Sequence, residues 1–257
     1  MTAKLMEGKK GIVLGVANRH SIAWAITEAL LEAGAEVALT YEGERVADRV
    51  KKLSEGTPIR HLYPCDVSRD DDLQALFAQV QKDLGAIDFL VHSVAYAPRE
   101  ALASPFHQIP REGFQVALDI SAYSLIGLCR YGSHLFRPGT SILTLTYHGS
   151  QQVMPGYGVM GVAKAALEAA VRYLAADLGE RGIRVNALSA GPINTLAARG
   201  VPGFTDSLRL YRERSPLKKN TEPEELGQAA LFLLSPMSRG ITGEVLYVDG
   251  GFHVTGA

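Results

Sequence analysis

Ile12-Val13-Leu14-Gly15-Val16-Ala17-Asn18-Arg19-His20-Ser21-Ile22-Ala23 is the stretch on which the architecture turns. Its first residues are aliphatic and stop at Gly15. An apolar pattern of helical period begins near Ser21 and runs to Ala33, where Gly34 ends it. Glu36-Val37-Ala38-Leu39-Thr40-Tyr41 reads as a second strand, so the segment forms one βαβ unit. Gly15 is what remains of a G-x-G-x-x-G pattern. Backbone amides at the start of the helix can still hold a pyrophosphate, assisted by the Ser21 hydroxyl. Taken alone this loop is weak, because any αβ protein can carry glycine after its first strand.

Working outward, Glu42 directly follows the second strand, where a carboxylate can accept hydrogen bonds from adenosine ribose hydroxyls and repel a 2′-phosphate. That favours NAD over NADP, with Arg45 as the opposing feature; a solvated helix start is the alternative. Strand and helix patterns then alternate. Strands are expected near Ile59 to Tyr63, Ile87 to His92, Ser141 to Thr146, Arg184 to Leu188 and Glu244 to Val248. Between them fall helices at Asp70 to Leu84, Arg111 to Phe136 with Pro138-Gly139 as its stop, Tyr157 to Leu178, and Glu222 to Leu234. Asp66 and Val67 sit where a loop beyond a strand end can hold adenine. Ser93-Val94-Ala95-Tyr96-Ala97 is small enough for a ligand to approach backbone. No linker or repeat divides the chain, which reads as a single domain spanning 1–257.

Tyr157-Gly-Val-Met-Gly-Val-Ala-Lys164 places a phenol and an ammonium seven residues apart. On one helix they would share a face about 10 Å apart along the axis. The ammonium would lower the tyrosine pKa and make it a donor to a developing oxyanion. Tyr147 arrives at the carboxyl end of the preceding strand, where open α/β sheets put ligands. Ala190 to Gly203 is small and apolar, and residues 190–215 form a candidate lid. Ile193, Leu196, Ala197 and Phe204 would cover a hydrocarbon chain, unless the segment is an ordinary surface connection.

The totals exclude several classes. Lys and Arg number 26 against 27 Asp and Glu, so no global charge points to nucleic acid or a membrane surface. Cys65 and Cys129 are far apart and the seven histidines are scattered, which suggests neither a metal site nor a disulfide framework. The apolar run after Lys9-Lys10 is too short for a signal peptide, and a cytoplasmic protein without a transmembrane span is expected.

Together these residues resemble the short-chain dehydrogenase/reductase superfamily, and within it the divergent enoyl-acyl-carrier-protein reductase branch of bacterial fatty-acid synthesis. The carrying motifs are Gly15-x5-Ser21-Ile22-Ala23, Thr146-Tyr147, Tyr157-x6-Lys164, Ser189-Ala-Gly-Pro-Ile193-x-Thr195-Leu196-Ala197 and Val248-Asp-Gly-Gly251. The commoner superfamily spacing is Tyr-x3-Lys, and Met160 stands where that tyrosine would be. The longer spacing is consistent with a donor to an oxygen farther from the hydride acceptor.

The resemblance implies a Rossmann-type doubly wound parallel sheet with a small helical lid. It implies NADH as reductant and a trans-2-enoyl thioester on acyl carrier protein as substrate. Hydride would reach the β-carbon, and Tyr157 would donate to the thioester oxygen. Lys164 would hold the nicotinamide ribose, and Tyr147 would shape the acyl site. Gly15, Ser21, Ile22, Glu42, Asp66, Val67 and Val94 would surround adenosine and pyrophosphate. Ile193, Asn194, Thr195, Leu196 and Ala197 would border nicotinamide and phosphates, and Ala97 the substrate. A homotetramer is expected. The basic residues Arg199, Arg209, Arg212, Arg214, Lys218 and Lys219 offer a docking patch for an acidic carrier, or a merely solvated face. A reductase of another enone or carbonyl, and a non-catalytic NAD sensor, are the competing readings.

Overall fold

Aliphatic runs too short and too continuous for amphipathic helices become strands buried on both faces, as parallel sheets require. A computed structural model describes residues 4–195, 200 and 203–255. Its strands are β1 (Lys10–Leu14), β2 (Glu36–Tyr41), β3 (Leu62–Pro64), β4 (Ile87–His92), β5 (Phe136–Thr146), β6 (Arg184–Ala190) and β7 (Val245–Val248). They form one sheet in the order β3-β2-β1-β4-β5-β6-β7, and every pairing is parallel. The helices are α1 (Ile22–Glu32), α2 (Gly43–Ser54), α3 (Asp70–Asp83), α4 (Arg99–Ala103), α5 (Arg111–Leu118), α6 (Ser124–Gly132), α7 (Val159–Gly179), α8 (Phe204–Arg214) and α9 (Pro223–Leu234). This is the expected doubly wound architecture.

Alternation along each strand feeds two cores. Ile12, Leu14, Leu90, Ile142, Val185 and Ala187 face the layer containing α3, α6 and α7. Val13, Phe89, Val91, Leu143, Leu145 and Leu188 face the layer of α1 and α9. β1 lies between β2 and β4, so strand order reverses there and a crevice opens beyond the carboxyl ends. Gly15 stands at that point with φ +97, and a Cβ on it would lie 1.9 Å from the Ser93 carbonyl oxygen. Only glycine lets the loops after β1 and β4 cross so closely.

Two expectations need correction. The helical run expected from Arg111 to Phe136 is present as α5, a π turn (Asp119–Tyr123), α6 and a 3₁₀ turn (Ser133–Leu135), and it passes directly into β5 at Phe136. Pro138-Gly139 is therefore no helix stop. It lies inside β5, where the missing proline N–H breaks pairing between the Ile87↔Phe136 and Phe89↔Ser141 registers. Thr140 Oγ1 accepts from the Arg137 amide at 3.0 Å, and the Gly139 amide donates to the Gly182 carbonyl at 2.9 Å. Finally, Tyr157 is not on a helix. Gly156 (φ 76) and Gly158 (φ 44, ψ −121) hold it in a turn, and α7 starts only at Val159.

Candidate active site

A cleft of about 930 Å³ runs along the carboxyl ends of β1, β2, β4, β5 and β6. Of the residues singled out above, Gly15, Ser21, Ile22, Glu42, Val67, Val94, Ala97, Tyr147, Tyr157, Lys164, Ile193 and Thr195 line it. Asp66 does not. Its carboxylate accepts instead from the Ser68 amide at 2.9 Å and the Ser68 hydroxyl at 2.6 Å, and so holds the turn before α3. Asn194 is exposed beside the cleft, and Leu196 and Ala197 lie outside the described residues.

The cleft suits a dinucleotide at both ends. At one end α1 begins with amides that have no intrahelical acceptor, a site for phosphate. The Ser21 hydroxyl itself is turned inward: it donates to the Asn18 carbonyl and accepts from the Ala17 and Asn18 amides at 3.4 Å. It shapes the loop, and the backbone is left to meet the anion. Glu42 follows β2 with an exposed carboxylate, and Val67 and Val94 supply apolar walls between.

At the other end, three tyrosines and a lysine converge. The Tyr147 and Tyr157 rings meet edge to face at 4.8 Å between centroids. Tyr147 lies 6.3 Å from Tyr211 of α8, which stacks on Phe252 at 3.7 Å. Tyr211 and Phe252 were not singled out in the sequence. Burial pushes the Tyr157 phenol well above its ordinary pKa, with Tyr147 and the Glu168 carboxylate adding to it. The lowering expected from a neighbouring ammonium is absent. Lys164 Nζ donates instead to the Leu145 carbonyl at 2.7 Å, and loss of water dominates at the phenol. Tyr157 is therefore protonated at neutral pH, as a donor must be.

Burial disfavours the charged form of Lys164 as well, which for an ammonium lowers the pKa, to about 8, with Glu168 working against the shift. Met160, buried at the commoner tyrosine position, packs with Ala97, Ala101 and Ala117. The π turn contributes too: Ser121 Oγ accepts from the Tyr96 amide and donates to the Tyr96 carbonyl, both at 3.0 Å, and so fixes the wall carrying Ala97. Cys65 also lines the cleft, but burial raises its thiol to about 12, with Asp72, Asp66 and Glu42 contributing. It is an inert wall at neutral pH. Among the described residues no cluster of histidine, cysteine, aspartate or glutamate is suited to a metal.

The family pattern of enoyl-(acyl carrier protein) reductase matches residues 15–253. The NADH-dependent enoyl-[acyl-carrier-protein] reductase FabI of Bacillus subtilis is 48% identical over 253 residues, covering 97% of this chain and 98% of that protein. A crystal structure of the Bacillus cereus enoyl-acyl carrier protein reductase with NADP+ and indole naphthyridinone superposes with a TM-score of 0.96 at 46% identity, covering 99% of this chain and all of that one. The Anaplasma phagocytophilum enoyl-(acyl-carrier-protein) reductase in complex with NAD gives a TM-score of 0.94 at 44% identity, covering 100% of this chain and 96% of that one. With the cleft, the tyrosine pair and this full-length likeness in hand, the chain belongs to the enoyl-(acyl carrier protein) reductase family.

Proposed function

We propose that this chain reduces the carbon–carbon double bond of trans-2-enoyl thioesters on acyl carrier protein, with NADH, in fatty-acid elongation. The observation that carries this reading is a protonated Tyr157 phenol, packed on Tyr147, in the same cleft as Lys164. NADH, when bound, supplies the hydride. The chain then has to stabilise charge on the thioester oxygen. Tyr157 donates a hydrogen bond to that oxygen and can release its proton there. Tyr147 supports the Tyr157 ring edge to face and shapes the acyl site.

Lys164 spends one N–H on Leu145 and has two more, enough to hold a pair of ribose hydroxyls. The first amides of α1 hold the pyrophosphate, Glu42 the adenosine ribose, and Val67 and Val94 flank the adenine. Ile193 and Thr195 border the nicotinamide end. Phe204 and Ser207 of α8 line the cleft beside them, and this segment acts as the lid that keeps water from the transfer. Exposed Tyr123, Ile126 and Tyr173, on the π turn, α6 and α7, supply apolar surface that further copies cover in a homotetramer. No described helix is long and apolar enough to cross a membrane, and the enzyme works in the cytoplasm.

The test follows oxidation of NADH, and separately of NADPH, with a trans-2-enoyl thioester and with a matching 3-ketoacyl thioester. Consumption with enoyl substrate and NADH is expected. Consumption only with the ketoacyl substrate would overturn the reaction assigned here. Tyr157→Phe should keep NADH binding and lose about 10²- to 10³-fold in kcat. Unchanged turnover removes Tyr157 from the mechanism.

A further inference from the structure

One buried charge in this region has no role in the mechanism above. Glu168 lies one turn beyond Lys164 on α7 and is only 5% exposed, as is Lys164 itself. A carboxylate is rarely buried without a partner of opposite charge. Its Oε1 accepts from the Thr146 hydroxyl and the Ser150 hydroxyl, each at 2.6 Å. Thr146 immediately precedes Tyr147, and Ser150 closes the 3₁₀ turn that follows it. A single carboxylate oxygen thus fastens both ends of the Tyr147 segment to the helix carrying Lys164.

We propose that Glu168 is a positioning residue for this reaction: it holds the Tyr147 turn against α7 and supplies the negative charge that keeps the Lys164 ammonium protonated. The charge role rests on spacing and burial together. Residues four apart on a helix are neighbours, and a pair removed from water interacts far more strongly than one at the surface. The other groups around the ammonium cannot replace it. His92 of β4 is buried between the Thr144 hydroxyl at 2.7 Å and the Ser124 hydroxyl at 2.8 Å, and burial drives it to about 3, so it is neutral. Tyr147 and Tyr157 are held neutral by burial. His148 in the 3₁₀ turn carries no negative charge in either protonation state, and Arg99 across the cleft adds positive charge. The buried Asp249 carboxylate, which also acts on Tyr147, is held by the Gly251 and His253 amides and the His253 ring, and Glu168 is the carboxylate that acts on Lys164.

The proposal rests on the functional reading for its consequence in turnover but can be tested without it. Glu168→Gln keeps an amide oxygen that can accept from both hydroxyls, so it removes charge and leaves the clamp. With lysines labelled with ¹³C at Cε, and the Lys164 signal assigned by its loss in Lys164→Arg, the wild-type signal should titrate near 8 in the cofactor-free protein. In Glu168→Gln it should titrate lower by about one pH unit or more. The basic limb of the kcat/KM profile should move in the same direction, because the ammonium is lost earlier as pH rises. An unmoved Lys164 titration in Glu168→Gln overturns the proposal.

Glu168→Asp guards against a glutamine variant that does not fold. It keeps the charge and shortens the reach, so kcat should fall while the Lys164 titration stays near the wild-type position. A titration lowered in Glu168→Asp by as much as charge removal should produce also overturns it. Absence of enoyl reduction by the wild type, with the titrations as expected, would reject the functional reading and leave the charge pair standing.

Discussion

A single methyl group added at Gly149 should separate catalysis from cofactor binding. Gly149 lies in the 3₁₀ turn His148–Ser150, and its φ is not in the left-handed region, so alanine can adopt its backbone. The new Cβ would stand 2.5 Å from Tyr157 Cδ1, 3.0 Å from Tyr157 Cε1 and 3.1 Å from Tyr147 Cδ1. Carbon atoms rest at about 3.5 to 4.0 Å, so the Tyr157 ring must yield by about 1 Å. Tyr147 blocks one side, its ring 4.8 Å away. The turn already lies close against α7, with the Gly149 carbonyl oxygen 2.7 Å from where a Cβ on Gly161 would be.

A displacement of about 1 Å at a reacting group costs on the order of 10²-fold in rate. Overpacking costs about 1–3 kcal/mol of stability, a fall of roughly 2–12 °C in Tm for a chain of this size. Initial rates of NADH oxidation with an enoyl thioester, fluorescence titration of NADH, and a thermal melt measure the three quantities. Gly149→Ala should lose about 100-fold in kcat and keep its NADH affinity to within about threefold. A kcat near that of the wild type would mean that the turn absorbs the methyl group and that Tyr157 tolerates displacement. Either conclusion refutes the geometry argued here.

Two further outcomes are expected. Asp88 is buried at the amino end of β4, bonded to Lys9 Nζ at 3.0 Å, the Lys10 amide at 3.0 Å, and Arg137 through Nε at 3.1 Å and Nη2 at 2.5 Å. Burial alone would raise its pKa, but Arg137, the Lys10 amide and Lys9 outweigh it and the net shift is downward. Its contribution to stability is therefore complete above the unfolded value of about 4 and is lost as pH falls through the lower folded value. Asp88→Asn should cost about 2–3 kcal/mol at neutral pH and flatten the acid limb of Tm against pH; a neutral-pH Tm equal to wild type would contradict this. On α8, Arg209 pairs with Asp206 at 3.0 Å, while Arg212 and Arg214 make no ion pair among the described residues; Lys219, beyond α8, pairs with Glu225 of α9. Reversing Arg209 and Arg212 to Glu should raise the KM for carrier-bound substrate far more than for a coenzyme A thioester, and equal effects would exclude carrier docking there.

The central strands were legible because they are buried on both faces, so that Ile12-Val13-Leu14 or Ile142-Leu143 needs no polar alternation to be read. What apolar periodicity cannot register is backbone sign. Tyr157 looks helical in one dimension, yet Gly158 at φ 44 postpones the helix by two residues and changes how the phenol meets its neighbours. Pro138-Gly139 misled for a related reason: the pair interrupts hydrogen bonding in any element, and only the register with β4 reveals which one. In the cleft, Gly15, Glu42, Tyr147 and Lys164 were found from their places at strand ends and from motif spacing. Tyr211 and Phe252 were missed because their stacking joins positions far apart in the chain. Glu168 did leave a trace: it is a charge four residues after Lys164 in an alanine-rich helix, on the stripe that has to be buried.

The π turn at Asp119–Tyr123 has a consequence for the whole rod it interrupts. One extra residue in a turn advances everything after it by about 100° around the helix axis. Gly113 and Ala117 before the insertion face α4 and α7, whereas Leu125, Leu128 and Cys129 after it are turned into the layer shared with α3. Had the rod been one uninterrupted helix, a single stripe would have had to serve both allegiances. The inserted residue works as a phase shifter: it lets one continuous run of chain hold the substrate wall on one side and the sheet's packing layer on the other, with Ser121 at the pivot.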